Sequence, residues 1–349
     1  WNDRHLFSDG VISLPIRRTL VLLLFITWLA MRPWGGFVHD ASLYAFNALA
    51  QLTPALLSAD IFTAYFDQGN MSFYVRLVAQ LLNYSDITSI SVVAYYLGRA
   101  LWFFAALYLC QSYFIEQREQ LVALVALMLV DGYYLTDIFR VAEPFVTGRL
   151  FAEAFVLFAM AAIVKQRLVL ASFLGVIATL WHPMLGIWML ALLVGKVLVE
   201  WKGWALLFAT VLIGFVALAL LDTLGPKVDS SWMQILLARS SSVVYSGWSS
   251  MVWDRAIHQF GLMAIAAWIF RHTEIGRIYL LLLVFGAVGV VINIAAVHLN
   301  SGWGLAIQFH RVHFLLYLSK VLNLLIAKLS AQGHIALIRQ MLAQQSPLK

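Results

Sequence analysis

The sequence has one cysteine, Cys110, and it lies inside an apolar run, so no internal disulfide framework holds the chain together. Charge is almost as scarce: Asp, Glu, Lys and Arg make up 11% of the 349 residues, less than half the share usual in soluble domains. No dense Lys/Arg cluster occurs. The formal net charge of +6 is therefore read as membrane topology and not as a nucleic-acid surface. No Gly-rich loop of the GxGxxG or Walker kind follows a plausible strand, and no internal repeat is visible. What the chain has in excess is apolar side chain. At 62% hydrophobic residues and a mean hydropathy of +0.86, it carries more than a soluble core of this length could hide. The composition is that of an integral membrane protein.

Runs long enough to cross about 30 Å of hydrocarbon as helix fall at 18–34, 88–115, 120–136, 149–164, 167–182, 184–200, 203–221, 257–271, 276–298 and 306–328. The expected fold class is all-α: a polytopic transmembrane helix bundle of about ten spans, forming a single integral membrane domain over 1–349. Extracytoplasmic loops are expected at 35–87 and 222–256. No small-residue cleavage site follows the first run, which is read as a retained helix.

Simple alternation of the spans places Arg4, Arg17, Arg18, Arg118, Lys165, Arg167, Lys202, Arg271, Arg277, Lys328, Arg339 and Lys349 on one side. The positive-inside bias makes that side cytoplasmic, with both termini. The opposite face gathers Asp40, Asp60, Asp67, Asp86, Asp137, Arg140, Glu143, Arg149, His182, Asp222, Asp229, Asp254, His298, Gln308 and Arg311. Ionisable groups at membrane depth are costly and so are functional suspects, although solvated loop charges and helix-end anchors account for some of them.

The first loop opens with His39-Asp40-Ala41-Ser42-Leu43-Tyr44. Residues 40–52 carry Leu43, Phe46, Leu49 and Leu52, and residues 71–82 carry Phe73, Leu77, Val78, Leu81 and Leu82. Both spacings predict amphipathic helices lying along the interface. Aromatics and acids, among them Tyr44 and Asp67, suit sugar binding at headgroup level, and also suit plain interfacial anchoring.

A second cluster runs from Asp137 through Arg140, Glu143 and Arg149 to Glu153, broken by Pro144, Thr147 and Gly148. Irregular backbone at the membrane edge is tolerated where it lines a cavity or is buried in protein. Arg149 and Glu153 lie one turn apart and can pair. His182, in Trp181-His182-Pro183, stands between two spans and can donate to a phosphate or cap the turn. Gln308 and Arg311 share a face at the start of the last run. Arg suits phosphate oxygens through its bidentate fork.

The long first extracytoplasmic loop with an acid near its start, the interfacial helices within it, and the stretches from Ala142 to Glu153, Trp181-His182-Pro183-Met184 and Gln308-Phe309-His310-Arg311 resemble the GT-C superfamily of integral membrane glycosyltransferases, in a poorly characterised bacterial branch. The resemblance implies residence in the bacterial inner membrane. It also implies a polyprenyl-phosphate-linked sugar as donor, with membrane lipids as the other partners and transfer at the periplasmic face. It places the catalytic carboxylate on Asp40; the residues themselves add Glu143 as a second-rank catalytic carboxylate and Tyr44, Asp67, Asp137, Arg140, Arg149, His182, Gln308 and Arg311 as candidates around the substrate. His39-Asp40 stands where many members carry paired acids, which leaves a divalent metal open and no metal ligand assigned. Protein partners stay unassigned. Two other classes fit a polytopic chain: a non-catalytic scaffold subunit of a membrane complex, and a secondary transporter, which would gather its polar groups near the bilayer midplane.

Overall fold

The computed structural model describes residues 14–57, 72–129, 140–204, 227–240 and 244–301. Asp67, Asp137, Gln308 and Arg311, the run at 306–328 and nearly all of 203–221 lie outside them. Among the described residues the chain is helical, with no strand beyond an isolated bridge between Lys227 and Ser301.

Eight helices fall on the predicted runs: α1 (Leu14–Met31), α5 (Ile87–Tyr113), α6 (Gln117–Leu129), α7 (Gly148–Val164), α8 (Leu168–Trp181), α9 (Pro183–Lys202), α11 (Ser250–Ile269) and α12 (Glu274–His298). Four of them, α1, α5, α9 and α12, are long and apolar enough to cross a membrane, which supports a membrane protein. The described residues do not establish the expected ten spans.

Between α1 and α5 lie α2 (Asp40–Leu52), a single turn α3 (Pro54–Leu57) and α4 (Phe73–Leu81). The first loop therefore holds both expected helices. Several members of the predicted apolar stripes face outward. α2 buries Ala41, Tyr44, Asn47, Ala48 and Ala50, and α4 buries Tyr74, Val75, Val78 and Ala79, while Leu49, Leu52, Phe73 and Leu81 stay exposed. Where the surroundings are lipid, large apolar residues can face outward and small ones let backbones approach.

α7 is the centre of the bundle, packed most heavily against α5 and α8. Its inner positions include many small residues (Ala152, Ala154, Ala159, Ala161 and Ala162, all buried), which permits that close packing. Asp86 caps α5 by accepting from the N–H groups of Thr88 and Ser89 at 2.9 Å each. The Ser89 side chain and these amides hold its carboxyl below the usual range. After α10 (Ser230–Ser240), a 3₁₀ turn at Tyr245–Gly247 is pinned to α12. The Tyr245 N–H donates to Asn293 Oδ1 at 3.1 Å, and its hydroxyl meets His298 Nε2 at 2.8 Å.

Helix ends segregate by chemistry. Where α7 ends and α12 begins, Lys196 of α9 is 3% exposed and paired with Glu200 and with Glu274 at 3.1 Å; Gln166 and Arg277 also donate to Glu274. The two acids reach water, being 32% and 42% exposed, whereas the ammonium does not. That asymmetry predicts which deletion hurts. Glu200→Gln with Glu274→Gln strands a buried cation and should cost about 3–5 kcal/mol. Lys196→Met releases two solvated carboxylates and should cost about 1 kcal/mol or less. Thermal unfolding in detergent reads the order; a larger loss for Lys196→Met would reverse it.

Candidate functional site

The opposite end of the bundle holds Asp40, Glu143 and Arg149. Thr147 ends an irregular stretch and caps α7, its hydroxyl accepting from the Arg149 N–H at 3.2 Å. Gly148 follows because the backbone of another hairpin lies against it: a Cβ there would collide with the Trp181 carbonyl oxygen and stand 3.0 Å from Ser72 Oγ. Ser72 donates to that same carbonyl at 2.8 Å. This junction ties the start of α7 to the α8–α9 turn, where His182 is buried.

From the first turn of α7, Arg149 enters the protein and is 2% exposed. One end of its fork donates to Asp40 Oδ2 at 2.6 Å, and the other donates to Glu143 Oε1. Glu143 is 4% exposed and Asp40 is 38% exposed. One guanidinium therefore joins a buried acid to a half-exposed one. Asp40 is the first residue of α2, where a carboxylate is favoured by the helix dipole. His39 precedes it at φ 49°, with its ring stacked on Phe145 at 6.0 Å. Asp40 Oδ1 has no hydrogen-bond partner among the described residues. Tyr44, one turn further along, is buried.

Residues 141–144 are held by backbone contacts. Ala142 sits at φ 49°, which costs a non-glycine residue about 1–2 kcal/mol, and three charged side chains fix its peptide groups. Its N–H donates to Glu153 Oε2 at 2.9 Å. Its carbonyl accepts from Arg32 at 3.2 Å and Arg99 at 3.3 Å, and Arg32 also bonds the Val141 carbonyl at 3.0 Å. Pro144 O accepts from the Gly35 N–H at 2.6 Å. Arg99, fully buried in α5, lies 3.4 Å from the Trp28 ring centroid and donates to Trp28 O at 2.8 Å. Burial of this irregular segment satisfies its backbone inside the protein, as a lipid setting demands. It lies at the level of Arg99, about 18 Å along α5 from its first residue at 1.5 Å per residue.

Aromatic rings floor the site. Phe151 stacks on Trp181 at 4.3 Å, Phe73 meets Trp181 edge-on at 5.4 Å, and Tyr74 lies 6.0 Å from Tyr44. Burial pushes the Tyr74 phenol well above its usual range, with Ser91 pulling it back slightly, so Tyr74 packs as a neutral group.

Of the predicted residues, Asp40, Glu143 and Arg149 are in direct contact. Arg140 is half-buried at the start of the irregular stretch, and Tyr44 and His182 are buried. Arg32 and Arg99 were not singled out. A guanidinium inside the apolar run at 88–115 was the signal that could have found Arg99. The described carboxylates do not fit a divalent ion, because the Arg149 guanidinium already takes the cation's place between Asp40 and Glu143. No cluster of three or more metal-ligating side chains occurs among the described residues. No family profile, curated protein or solved structure matches this chain.

The burial pattern ranks the three groups energetically. Arg149→Leu leaves Glu143 charged and buried, and should destabilise by about 3–5 kcal/mol; Arg149→Leu with Glu143→Leu should recover most of that. Asp40→Asn leaves the inner pair intact and should cost about 1 kcal/mol or less. A thermal-shift series in detergent checks the order. An Arg149→Leu protein that melts with wild type would refute it.

Proposed function

We propose that this protein is a GT-C-like membrane glycosyltransferase that moves a sugar from a polyprenyl-phosphate donor to an acceptor hydroxyl at the periplasmic face of a bacterial inner membrane. The single observation that carries this reading is the Asp40 carboxylate, which has one oxygen fixed by a buried guanidinium and the other without a partner among the described residues, at the half-exposed mouth of an otherwise buried polar cluster. A general base needs that combination of orientation and access.

In the proposed reaction the acceptor oxygen attacks the anomeric carbon, the bond from that carbon to the phosphate oxygen breaks, and the polyprenyl phosphate leaves with the electron pair. The hydroxyl proton passes to Asp40 Oδ1. Arg149 is a positioning residue here, since its charge is matched by two acids, and Glu143 holds it from the buried side. The growing charge on the departing phosphate falls to Arg140, with Gln308 and Arg311 proposed to join it, and fixed cations in a dry site lower such a barrier. Tyr44, Asp67, Asp137 and His182 are proposed to shape the sugar and headgroup pocket. A chain with about ten spans supplies the hydrocarbon surroundings that an isoprenoid tail requires.

The test is transfer from a panel of polyprenyl-phosphate-linked sugars, in detergent, with mass spectrometry of lipids that co-purify with the protein. Asp40→Asn should lower turnover by about 10²–10⁴-fold while donor retention and assembly stay near normal. Arg140→Gln should weaken donor retention. Undiminished turnover in Asp40→Asn would remove Asp40 from catalysis.

A further inference from the structure

At the end of the bundle away from Asp40, α1 and α5 leave an open groove of about 330 Å³. Its mouth is polar. Arg17 and Arg18, in the first turn of α1, stand there with Gln111 from the last turns of α5. Arg17 is held in place, donating to Gln120 Oε1 at 3.0 Å. Gln120 is itself buried and fixed through its Nε2 to the carbonyls of Phe114 at 2.9 Å and Ile115 at 3.3 Å. Arg18 is exposed, and neither it nor the Gln111 amide has a side-chain partner among the described residues.

Deeper in, the walls turn apolar: Val21, Leu22, Phe25 and Phe104 line them, and the Phe25 and Phe104 rings meet at 5.3 Å. From Arg17 to Phe25 is eight residues, about 12 Å along the helix. The groove thus has two chemistries in sequence, cationic at the membrane edge and hydrocarbon further in. No acid lines it among the described residues, and the N-terminal end of the α1 dipole adds positive potential. α1 itself is lightly packed, with Leu20, Leu22, Leu23 and Ile26 exposed to whatever surrounds the helix.

We infer that this groove is a binding site for an anionic phospholipid, its phosphate held by Arg17, Arg18 and Gln111 and one acyl chain laid along Leu22, Phe25 and Phe104. A phosphate without a chain would use only the mouth; a zwitterionic lipid would bring its own cation to two arginines. The site stands independently of the glycosyltransferase reading, and each can fail alone.

The test is native mass spectrometry of the delipidated full chain titrated with phosphatidylglycerol, phosphatidylcholine and inorganic phosphate. Phosphatidylglycerol should bind at least tenfold more tightly than the other two. Arg18→Gln, which breaks no side-chain hydrogen bond or ion pair among the described residues, should weaken it about fivefold with a melting temperature close to wild type, and Arg17→Gln with Arg18→Gln more than tenfold. Leu22→Trp should block binding with both charges intact. Equal retention of phosphatidylcholine, phosphate binding as tight as the lipid's, or full affinity in Arg18→Gln would overturn the proposal. So would a photo-crosslinker at Leu22 that captures residues 1–13 and not lipid.

Discussion

The buried guanidinium of Arg149 is the constraint on which the Asp40 end of the molecule depends. A charge that is 2% exposed needs compensation, and here two acids from different segments provide it. Because one of them is the first residue of α2, satisfying Arg149 also fixes where the first loop begins. Because the other follows Ala142, it also fixes the irregular run before α7. The clamp on Ala142 makes the second of these rigid: Arg32, Arg99 and Glu153 come from three separate parts of the bundle and converge on its two peptide groups. An αL alanine persists only when surroundings over-determine it.

Parts of this were legible in the sequence. Apolar spacing located α2 and α4 because an amphipathic helix keeps its 3.6-residue period wherever its face points. Which members of each apolar stripe pack against protein was not legible, because beside lipid a large side chain can face outward as readily as inward. Tyr44, Ala48 and Val78 pack, while Leu49, Phe73 and Leu81 do not. Likewise Asp40, Glu143 and Arg149 stood out as ionisable groups near helix ends, but the sequence separation of 109 between Asp40 and Arg149 hides their contact from any local rule. Spacing alone offered Glu153, one turn away, as a partner for Arg149; Asp40 and Glu143 hold its guanidinium, and Glu153 Oε2 accepts from the Ala142 N–H. Arg99 was hidden in a different way: the run containing it was apolar enough to read as a span despite one charge.

The two ends of the bundle use ion pairs differently. At Lys196 the buried member is the cation and its acids reach water, an arrangement that ties α9 to α12 and leaves no open acceptor inside. Around Arg149 a buried acid backs the guanidinium, and the acid that reaches outward keeps one oxygen unengaged among the described residues. Stability accounts for the first arrangement. The second exposes a positioned carboxylate, which is a feature of sites that do chemistry more than of staples.

A double-mutant cycle on Asp40 and Arg149, read as unfolding free energy in detergent, tests the contact between the first loop and α7 most directly. Residues sharing one ion network should be non-additive by about 0.5–3 kcal/mol, with Asp40→Ala nearly without effect once Arg149 is Leu. Additivity within experimental error would mean that the two side chains do not meet, and the site built on them would not stand.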